Sequence, residues 1–352
     1  MKDTSWAEIN EILNAKCLDH FHYVRAKREF QTHLEFAAPG EILVLTGVSG
    51  AGKTRIVHEV MDQYNRVCCE GSVPAIYALA PNTSVRGQYD AKEMTRRLLR
   101  AVKAPDVLGP DGETIPERFS VKLNRLSNSQ LQAKLACNMK SRNTRFVMVD
   151  EAQNVQYSGK SITATDPIMD QWKRFADETG TVLVLSASYK VLEVISRSGH
   201  LSRRSRYVHL HYYRDTKEDL DEFHRIISAY GQLIPGISDL NHNGELTVFL
   251  RKKTLGSVGK LINILRRCIV YCVSRRQSFI SAEAINSALR PDGELAALLE
   301  EAEIGNRFFN MQREFSPDVR GLNNKVPQSK PFQRKPRRID ALSEEGKRGG
   351  VS

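Results

Sequence analysis

A buried-type strand that leads directly into a phosphate-binding loop constrains this chain more than any other feature. The segment Glu41–Thr54 reads EILVLTGVSGAGKT and matches the pattern GxxxxGK[ST]. Its first part, Ile42–Leu45, is a continuous apolar run, which is typical of a parallel strand covered on both faces. Apolar residues at helical spacing follow from Ile56 to Met61. The segment therefore predicts a strand, a loop and a helix in an α/β fold that binds a nucleoside triphosphate.

The loop itself supplies most of a predicted ATP site. Its glycines let the backbone turn tightly, so that N–H groups face a polyphosphate, and the helix that follows adds the positive end of its dipole. Lys53 is expected on the β- and γ-phosphates, and Thr54 on Mg²⁺. The predicted nucleotide-binding residues of the loop are Gly47, Val48, Ser49, Gly50, Ala51, Gly52, Lys53 and Thr54.

A second apolar strand ends in two carboxylates about a hundred residues later. Residues Phe146–Glu151 read FVMVDE. Taken alone, this is a strand that ends in a solvated acidic turn, but next to a complete phosphate loop it favours a catalytic site. Asp150 is expected to hold Mg²⁺, directly or through water, and Glu151 to orient or deprotonate the attacking water. We therefore predict an ATPase with Lys53 and Glu151 among its catalytic residues.

The composition limits the kinds of partner that the chain is expected to bind. The chain has 352 residues, of which 41% are hydrophobic, and a formal net charge of +11. A positive balance of this size favours a polyanionic partner, usually nucleic acid, although ribosome-like and membrane-surface contacts give the same signal. No apolar run has the length of a membrane span, and the N-terminal residues are polar rather than a signal sequence. We expect a cytoplasmic protein with no membrane partner.

Strands and helices alternate as far as His211, and the chain is helical from Lys217 onward. This order predicts a parallel sheet with helices on both faces and a domain boundary near Asp215. The predicted parts are an N-terminal helical segment (1–40), an α/β nucleotide-binding domain (41–214), a small helical lid domain (215–315) and a disordered basic tail (316–352).

The tail differs in composition from the rest of the chain. It contains four prolines, with nine Lys or Arg against four Asp or Glu. Such a segment buries too little apolar surface to fold alone. It is either an inert basic tail or a tether that orders on a partner such as a transposase.

The order of these parts resembles the AAA+ ATPases, from about Phe36 to Leu289. The resemblance implies a P-loop NTPase fold, and it implies a polar sensor residue after the acidic strand, where Ser186 and Ser188 of VLVLSAS are the candidates. It also implies an arginine that reaches the nucleotide of a neighbouring subunit. Arg203 or Arg204 of LSRRSR fits that role, because a fixed guanidinium stabilises charge on a γ-phosphate. A basic surface loop is the simpler interpretation of the same segment.

A closer resemblance is to the TnsC, TniB and MuB group of transposition regulators. It is carried by VDEAQN at Val149–Asn154, by the segment Ser186–Arg206, and by GSVGKL at Gly256–Leu261. Many AAA+ lids carry a sensor arginine in a GxxR pattern, whereas this chain has Gly259 in that place. The resemblance implies ATP-dependent assembly of a homo-oligomeric ring or filament on double-stranded DNA. It also implies recruitment by a TniQ-like target-selection protein and activation of transposase subunits.

Basic residues make DNA binding plausible independently. The segment 251–276 contains eight Lys or Arg and no acidic residue. In related ring ATPases, loops between the second and third strands line the central channel, so Arg86, Lys122 and Arg125 are the candidates for phosphate contacts. Each of them is also explained as part of a solvated surface. Because no base-reading motif is present, binding is expected to depend on DNA shape and charge.

Three function classes follow from these features. The first is an ATP-dependent, DNA-binding regulator of transposition. The second is another nucleic-acid-associated AAA+ ATPase, such as a helicase loader or replication initiator, although the sequence after Leu289 is too short and polar for an initiator's winged-helix domain. The third is a P-loop signalling switch that does not assemble on DNA.

Overall fold

The computed structural model describes residues 5–15, 18–81, 89–105, 125–158, 166–197, 199–289 and 292–314. The chain divides into two units, residues 1–308 and residues 309–352. The sheet, the candidate site and the residues that contact them lie in the first unit. The predicted tail, 316–352, lies outside the described residues.

A five-stranded parallel sheet forms the centre of the first unit. Its strands are β1 (Ile42–Gly47), β2 (Ala75–Leu79), β3 (Phe146–Asp150), β4 (Val182–Ala187) and β5 (Ser205–Leu210). They lie in the order β2-β3-β4-β1-β5. Every residue of β1, β3 and β4 is buried, as expected for central strands covered on both faces. The predicted fold class, a parallel sheet with helices and a P-loop, is confirmed.

Two helices precede β1, and further helices connect the strands. Before β5 they are α1 (Trp6–Ala15), α2 (Phe21–Glu35), α3 (Lys53–Arg66), α4 (Ala91–Ala101), α5 (Asn128–Ser141), α6 (Asp166–Thr179), α7 (Lys190–Arg197) and α8 (Gly199–Arg204), with a 3₁₀ turn at Ala152–Ser158. Strand β1 lies between β4 and β5. Its carboxyl end lies on the side of the sheet where open α/β folds bind ligands.

The chain after β5 is helical, as predicted. Its helices are α9 (Lys217–Gly231), α10 (Ile237–Leu240), α11 (Glu245–Thr254), α12 (Val258–Arg275), α13 (Ala282–Ala288) and α14 (Asp292–Glu314). Helix α9 begins sharply because the Thr216 side chain accepts from the backbone N–H of Asp219 and two acidic residues lie in its first turn. Helix α14 had no counterpart in the sequence analysis. None of the helices in the described part of the chain is long and apolar enough to cross a membrane.

Helix α1 packs into the hydrophobic core of the helical region. Ile9 and Leu13 are buried together with side chains of α9, α12 and α13. The Trp6 indole N–H donates to the carbonyl of Gln277 at 2.9 Å, which fixes the first turn of α1 beyond the end of α12. The core of the helical region thus combines Ile9 and Leu13 with residues between 213 and 288, which are distant in sequence. The four-part division of the chain stays a prediction.

We predict that Leu13→Ala destabilises the protein by about 2–4 kcal/mol, because it leaves a cavity among packed side chains. Leu13 is 1% exposed. Glu11→Ala, on the exposed side of the same helix, is the matched control and should change stability by less than about 0.5 kcal/mol. Denaturant unfolding of the two variants measures the difference. Equal stability of Leu13→Ala and Glu11→Ala would show that α1 is not part of this core.

Candidate functional site

The phosphate loop lies at the carboxyl end of β1, and all of its predicted residues from Gly47 to Thr54 are brought together there. Gly50 and Gly52 have φ angles of 81° and 107°. These values are in the left-handed region that side chains with a Cβ rarely adopt. Gly52 is also the N-cap of α3, which begins at Lys53. The loop therefore closes directly onto a helix N-terminus, the arrangement that binds anions.

Lys53 is folded back against the loop. Its side chain is 8% exposed, and its ammonium Nζ donates to the carbonyls of Gly47 and Val48 at 2.9 and 3.0 Å. Burial lowers the pKa of Lys53, whereas the nearby carboxylates of Glu301, Glu151 and Asp150 act in the opposite direction. The lysine is thus held at the base of the loop by two carbonyls and a group of acidic side chains.

Asp150 is the centre of the site, with only 2% of its surface exposed. Thr54 Oγ1 and Tyr77 OH donate to its Oδ2 atom at 2.6 and 3.2 Å. Ser186 Oγ and the backbone N–H of Glu151 donate to Oδ1 at 2.6 and 3.0 Å. Strand register explains the contacts with Tyr77 and Ser186, since Asp150 pairs with Leu79 and follows Val149, the partner of Leu185. Tyr77 had no sequence motif to reveal it.

The same contact brings together the two residues predicted to hold Mg²⁺. The Thr54 hydroxyl touches the Asp150 carboxylate directly, and both are oxygen ligands of the hard type that Mg²⁺ prefers. Phosphate oxygens and water normally complete its coordination. The residues present therefore fit a Mg²⁺–nucleotide complex.

Glu151 lies just beyond the buried end of β3 and is exposed. Its φ angle is 52°, a left-handed conformation that turns the chain sharply after Asp150. The Gln153 amide donates to the Glu151 carboxylate. The Gln153 side-chain oxygen in turn accepts from the backbone N–H of Ser188 at 3.1 Å. Ser186 thus contacts Asp150, the predicted metal ligand, and Ser188 is linked to the predicted catalytic glutamate through Gln153.

The helical region contacts the phosphate loop through the segment GSVGKL. The backbone N–H of Gly259 donates to the carbonyl of Gly50 at 3.1 Å. A Cβ at position 259 would lie 2.2 Å from that oxygen, so only glycine fits. The Ser257 hydroxyl donates to the carbonyl of Ser49 at 3.4 Å. Gly259 in place of a sensor arginine therefore has a steric reason, which is the direct contact between two backbones.

A small pocket opens beside the loop, between α2 and α12. Its lining includes Leu18, His20, Tyr23, Arg55, Val258 and Ile262, together with the backbone of 50–52. The Arg55 guanidinium stacks over the Tyr23 ring at 4.3 Å. Burial lowers the pKa of His20 to about 4, and the neighbouring His22 and Arg55 charges act in the same direction. A neutral imidazole, a phenol ring and aliphatic side chains suit a flat aromatic base next to the phosphate loop.

A carboxylate from helix α14 also reaches the loop, and sequence reasoning missed it. The Glu301 Oε1 atom accepts from the backbone N–H of Ser49 at 3.1 Å. The apolar positions of α14 could have revealed a helix, but several glutamates follow one another there, and no pattern distinguishes Glu301 from them.

Arg203 and Arg204 lie at the amino end of β5, whereas the phosphate loop lies at the carboxyl end of the neighbouring strand β1. They precede β5, which runs beside β1 with Ser205 opposite Ile42 and Leu210 opposite Gly47. Six residues of strand, about 20 Å, therefore separate them from the loop of their own chain. Arg204 pairs with Asp177 at 2.7 Å. The Arg203 side chain is exposed and forms no hydrogen bond or ion pair with another described residue.

The candidate DNA contacts are only partly described. Arg86 and Lys122 lie outside the described residues, whereas Arg125 is exposed just before α5. In the cationic segment 251–276, Arg251 pairs with Asp215 at 3.1 Å and Arg266 donates to the carbonyl of Leu13 at 3.3 Å. Part of that charge therefore stabilises the fold. The exposed cations of the segment are Lys252, Arg267, Arg275 and Arg276.

Comparison with known proteins agrees with this geometry. Residues 38–195 match the family described as AAA domain. No curated protein sequence matches the chain. Among solved structures, Drosophila ORC bound to DNA has 15% identity and a TM-score of 0.50 over 82% of this chain and 66% of that one. The ORC2 protein of Aeropyrum pernix, in ADPNP and ADP complexes, has 13% identity and a TM-score of 0.49 over 75% and 66%.

The chain thus spans slightly less than two thirds of each of these two proteins. At such low identity the likeness concerns the fold alone. The matched family region contains the phosphate loop, the acidic strand and the strand that carries Ser186 and Ser188. Residues 38–195 of this chain thus match an AAA domain in sequence, and they contain the phosphate loop and strands β1 to β4 of the parallel sheet of a P-loop fold.

Proposed function

We propose that this chain is an ATP-hydrolysing regulator of transposition, which assembles on duplex DNA and links a target-selection protein to a transposase. The observation that carries the proposal is the Asp150 carboxylate, which contacts Thr54 and Ser186 next to the phosphate loop. Three separate chain segments meet there in an arrangement suited to a Mg²⁺–ATP complex. That arrangement supports nucleotide chemistry directly, and the remaining parts of the proposal are built on it.

In this proposal, the residues divide the chemistry between them. Lys53 and the loop N–H groups would bind the phosphates, while Asp150 and Thr54 would hold Mg²⁺, which would neutralise phosphate charge. Glu151 accepts a proton from the attacking water, and Gln153 holds the glutamate in place. Ser188, linked to Gln153 through its backbone N–H, is suited to report the state of the γ-phosphate to this network.

Hydrolysis requires a second subunit in this scheme. Arg203 and Arg204 are too far from the loop of their own chain, so either could complete only the site of a neighbour. Arg203 is the better candidate, because Arg204 is already held by Asp177. A site shared between subunits makes a homo-oligomeric ring or filament the active form.

Nucleic acid is the proposed partner on grounds of charge. The chain has a net charge of +11, and exposed cations lie on α11, α12 and before α5. The similarly folded Drosophila ORC was solved bound to DNA. In this proposal a ring encloses duplex DNA and contacts its phosphates through Arg86, Lys122 and Arg125, without base recognition.

The transposition role rests on the segments VDEAQN, Ser186–Arg206 and GSVGKL, which resemble those of the TnsC, TniB and MuB group. The GSVGKL segment contacts the phosphate loop, so this part of the resemblance lies at the nucleotide site. A helicase loader or replication initiator is the second candidate, favoured by the fold shared with Drosophila ORC. Stimulation of a purified transposase on target DNA distinguishes the first candidate from the second.

We predict that Lys53→Ala and Glu151→Gln have different effects. Loss of the lysine charge should weaken ATP binding, since that charge neutralises phosphate. Loss of the glutamate base should preserve binding and slow hydrolysis by about 10²–10⁴-fold. Titration with a fluorescent ATP analogue and a phosphate-release assay measure both effects. Hydrolysis by Glu151→Gln at the rate of the parent would remove Glu151 from the catalytic role.

We predict that Arg203→Ala reduces hydrolysis about 10³-fold or more, while ATP still binds to the monomer. The matched control is Arg204→Ala, which loses only an exposed ion pair worth about 1 kcal/mol or less. Rings or filaments on duplex DNA, visible by electron microscopy with a slowly hydrolysed ATP analogue, should be lost or weakened only in Arg203→Ala.

Mixing the subunits tests whether the arginine acts in trans. Arg203→Ala subunits combined with Lys53→Ala subunits should recover part of the activity, because some interfaces then pair an intact loop with an intact arginine. The absence of recovery at every mixing ratio, or a larger defect in Arg204→Ala, would contradict the assignment.

We predict that the triple variant Arg86→Ala, Lys122→Ala, Arg125→Ala weakens binding to all duplex sequences alike. Removal of one phosphate-binding cation should reduce the slope of log affinity against log salt by about one. Substitution of Lys252, Arg267 and Arg276 by alanine is the matched control of equal charge. Titrations of unrelated duplexes across a salt series, with and without the ATP analogue, measure both variants. A defect confined to the control would move the DNA site to the helical region.

A further inference from the structure

The Glu301 carboxylate lies against the backbone of the phosphate loop. Its Oε1 atom accepts from the backbone N–H of Ser49 at 3.1 Å, and the side chain is 8% exposed. Ser49 lies within the GxxxxGK[ST] motif, whose backbone N–H groups bind phosphate oxygens. A carboxylate oxygen is the nearest protein equivalent of such an oxygen, since both are anionic acceptors.

The charges around Glu301 are those expected around a bound phosphate. Burial raises the pKa of Glu301, and the charges of Lys53, Lys190 and Lys260, together with the Ser49 N–H, act against that effect. Glu301 is likewise the carboxylate that most strongly opposes the lowered pKa of Lys53. A buried ammonium is costly unless a nearby anion compensates it. Glu301 is one of three carboxylates, with Glu151 and Asp150, that provide this compensation.

Helix α14 is seated by several specific contacts beyond Glu301. The Asn306 amide and the Tyr212 hydroxyl exchange hydrogen bonds of 2.9 and 3.2 Å. Phe308 packs edge-on against Tyr207, with ring centroids 5.1 Å apart. A Cβ at Gly305 would lie 2.6 Å from the ring of Tyr189, so the helix approaches that ring as closely as only glycine permits. These contacts hold α14, and with it Glu301, against the rest of the first unit.

We infer that helix α14 inhibits its own chain: Glu301 takes the place of a nucleotide phosphate at Ser49, and the helix must leave the loop before ATP binds. The inference rests on the proposed nucleotide binding and adds its regulation. Helix docking and ATP binding then compete for the same N–H group and the same lysine. The apparent affinity for ATP equals the intrinsic affinity multiplied by the fraction of protein with the helix released.

Two independent variants release the helix in different ways. Glu301→Gln keeps the shape of the side chain but removes the charge that replaces phosphate. Gly305→Ala keeps Glu301 and instead pushes the helix away from the buried Tyr189 ring. The matched controls on the same helix are Glu300→Gln, at an exposed carboxylate, and Gly293→Ala, where an added Cβ meets nothing within 4 Å.

Affinity for a fluorescent ATP analogue is measured on the full-length chain and on all four variants. If the docked form makes up about 90% of the free protein, release raises the apparent affinity about tenfold. We expect such a gain in Glu301→Gln and in Gly305→Ala and no change in the two controls. Hydrogen exchange in the parent should also show that residues 292–308 lose protection at saturating ATP analogue, because the helix is then displaced.

The outcomes separate this inference from the proposed function. If the parent binds ATP and neither Glu301→Gln nor Gly305→Ala binds it more tightly, the inhibitory role of α14 is wrong and nucleotide binding stands. Continued protection of residues 292–308 at saturating nucleotide would overturn the inhibitory role in the same way. If neither the parent nor any variant binds ATP, the proposed function fails, and the inhibitory role fails with it.

Discussion

The candidate site depends on a single buried carboxylate. Asp150 accepts from Thr54 and Tyr77 on one oxygen and from Ser186 and the Glu151 backbone on the other. A carboxylate offers about four acceptor positions, so the Asp150 charge is fully solvated by protein donors although almost none of it reaches water. The donors come from β2, α3, β4 and the turn after β3. Removing this one charge would leave four donors without their acceptor, and these contacts join the carboxyl ends of the strands to the phosphate loop.

The second constraint is the direct contact between the helical region and the loop. Gly259 and Ser257 reach the carbonyls of Gly50 and Ser49, so the backbone of the phosphate loop also supports the helical region. A change of loop conformation on nucleotide binding would therefore displace the start of α12 directly, without any sensor side chain. This provides a physical route by which nucleotide state could alter a surface of the helical region, although the GxxR arginine is missing.

Catalysis in the proposed scheme needs two changes from the arrangement described. Glu301 has to leave the loop, and an arginine has to arrive from another subunit. Both conditions keep an isolated chain inactive, the first by occupying an anion site and the second by leaving a charge-stabilising group about 20 Å away. ATP would thus be hydrolysed only in an assembly, which suits a protein whose nucleotide state regulates a complex on DNA.

The sequence by itself determined the parallel sheet, the phosphate loop and the acidic strand, because continuous apolar runs and the GxxxxGK[ST] spacing reflect local chemistry. It also predicted that Thr54 and Asp150 share Mg²⁺ as a ligand, and the two side chains are in direct contact. Only the tertiary structure decided the roles of Tyr77, Gly259 and Glu301, since each acts on a residue distant in the chain. In the sequence, Tyr77 is an ordinary strand tyrosine, Gly259 stands where many AAA+ lids have an arginine, and Glu301 is one of several glutamates. Strand register and helix packing place these residues against Asp150, Gly50 and Ser49, respectively.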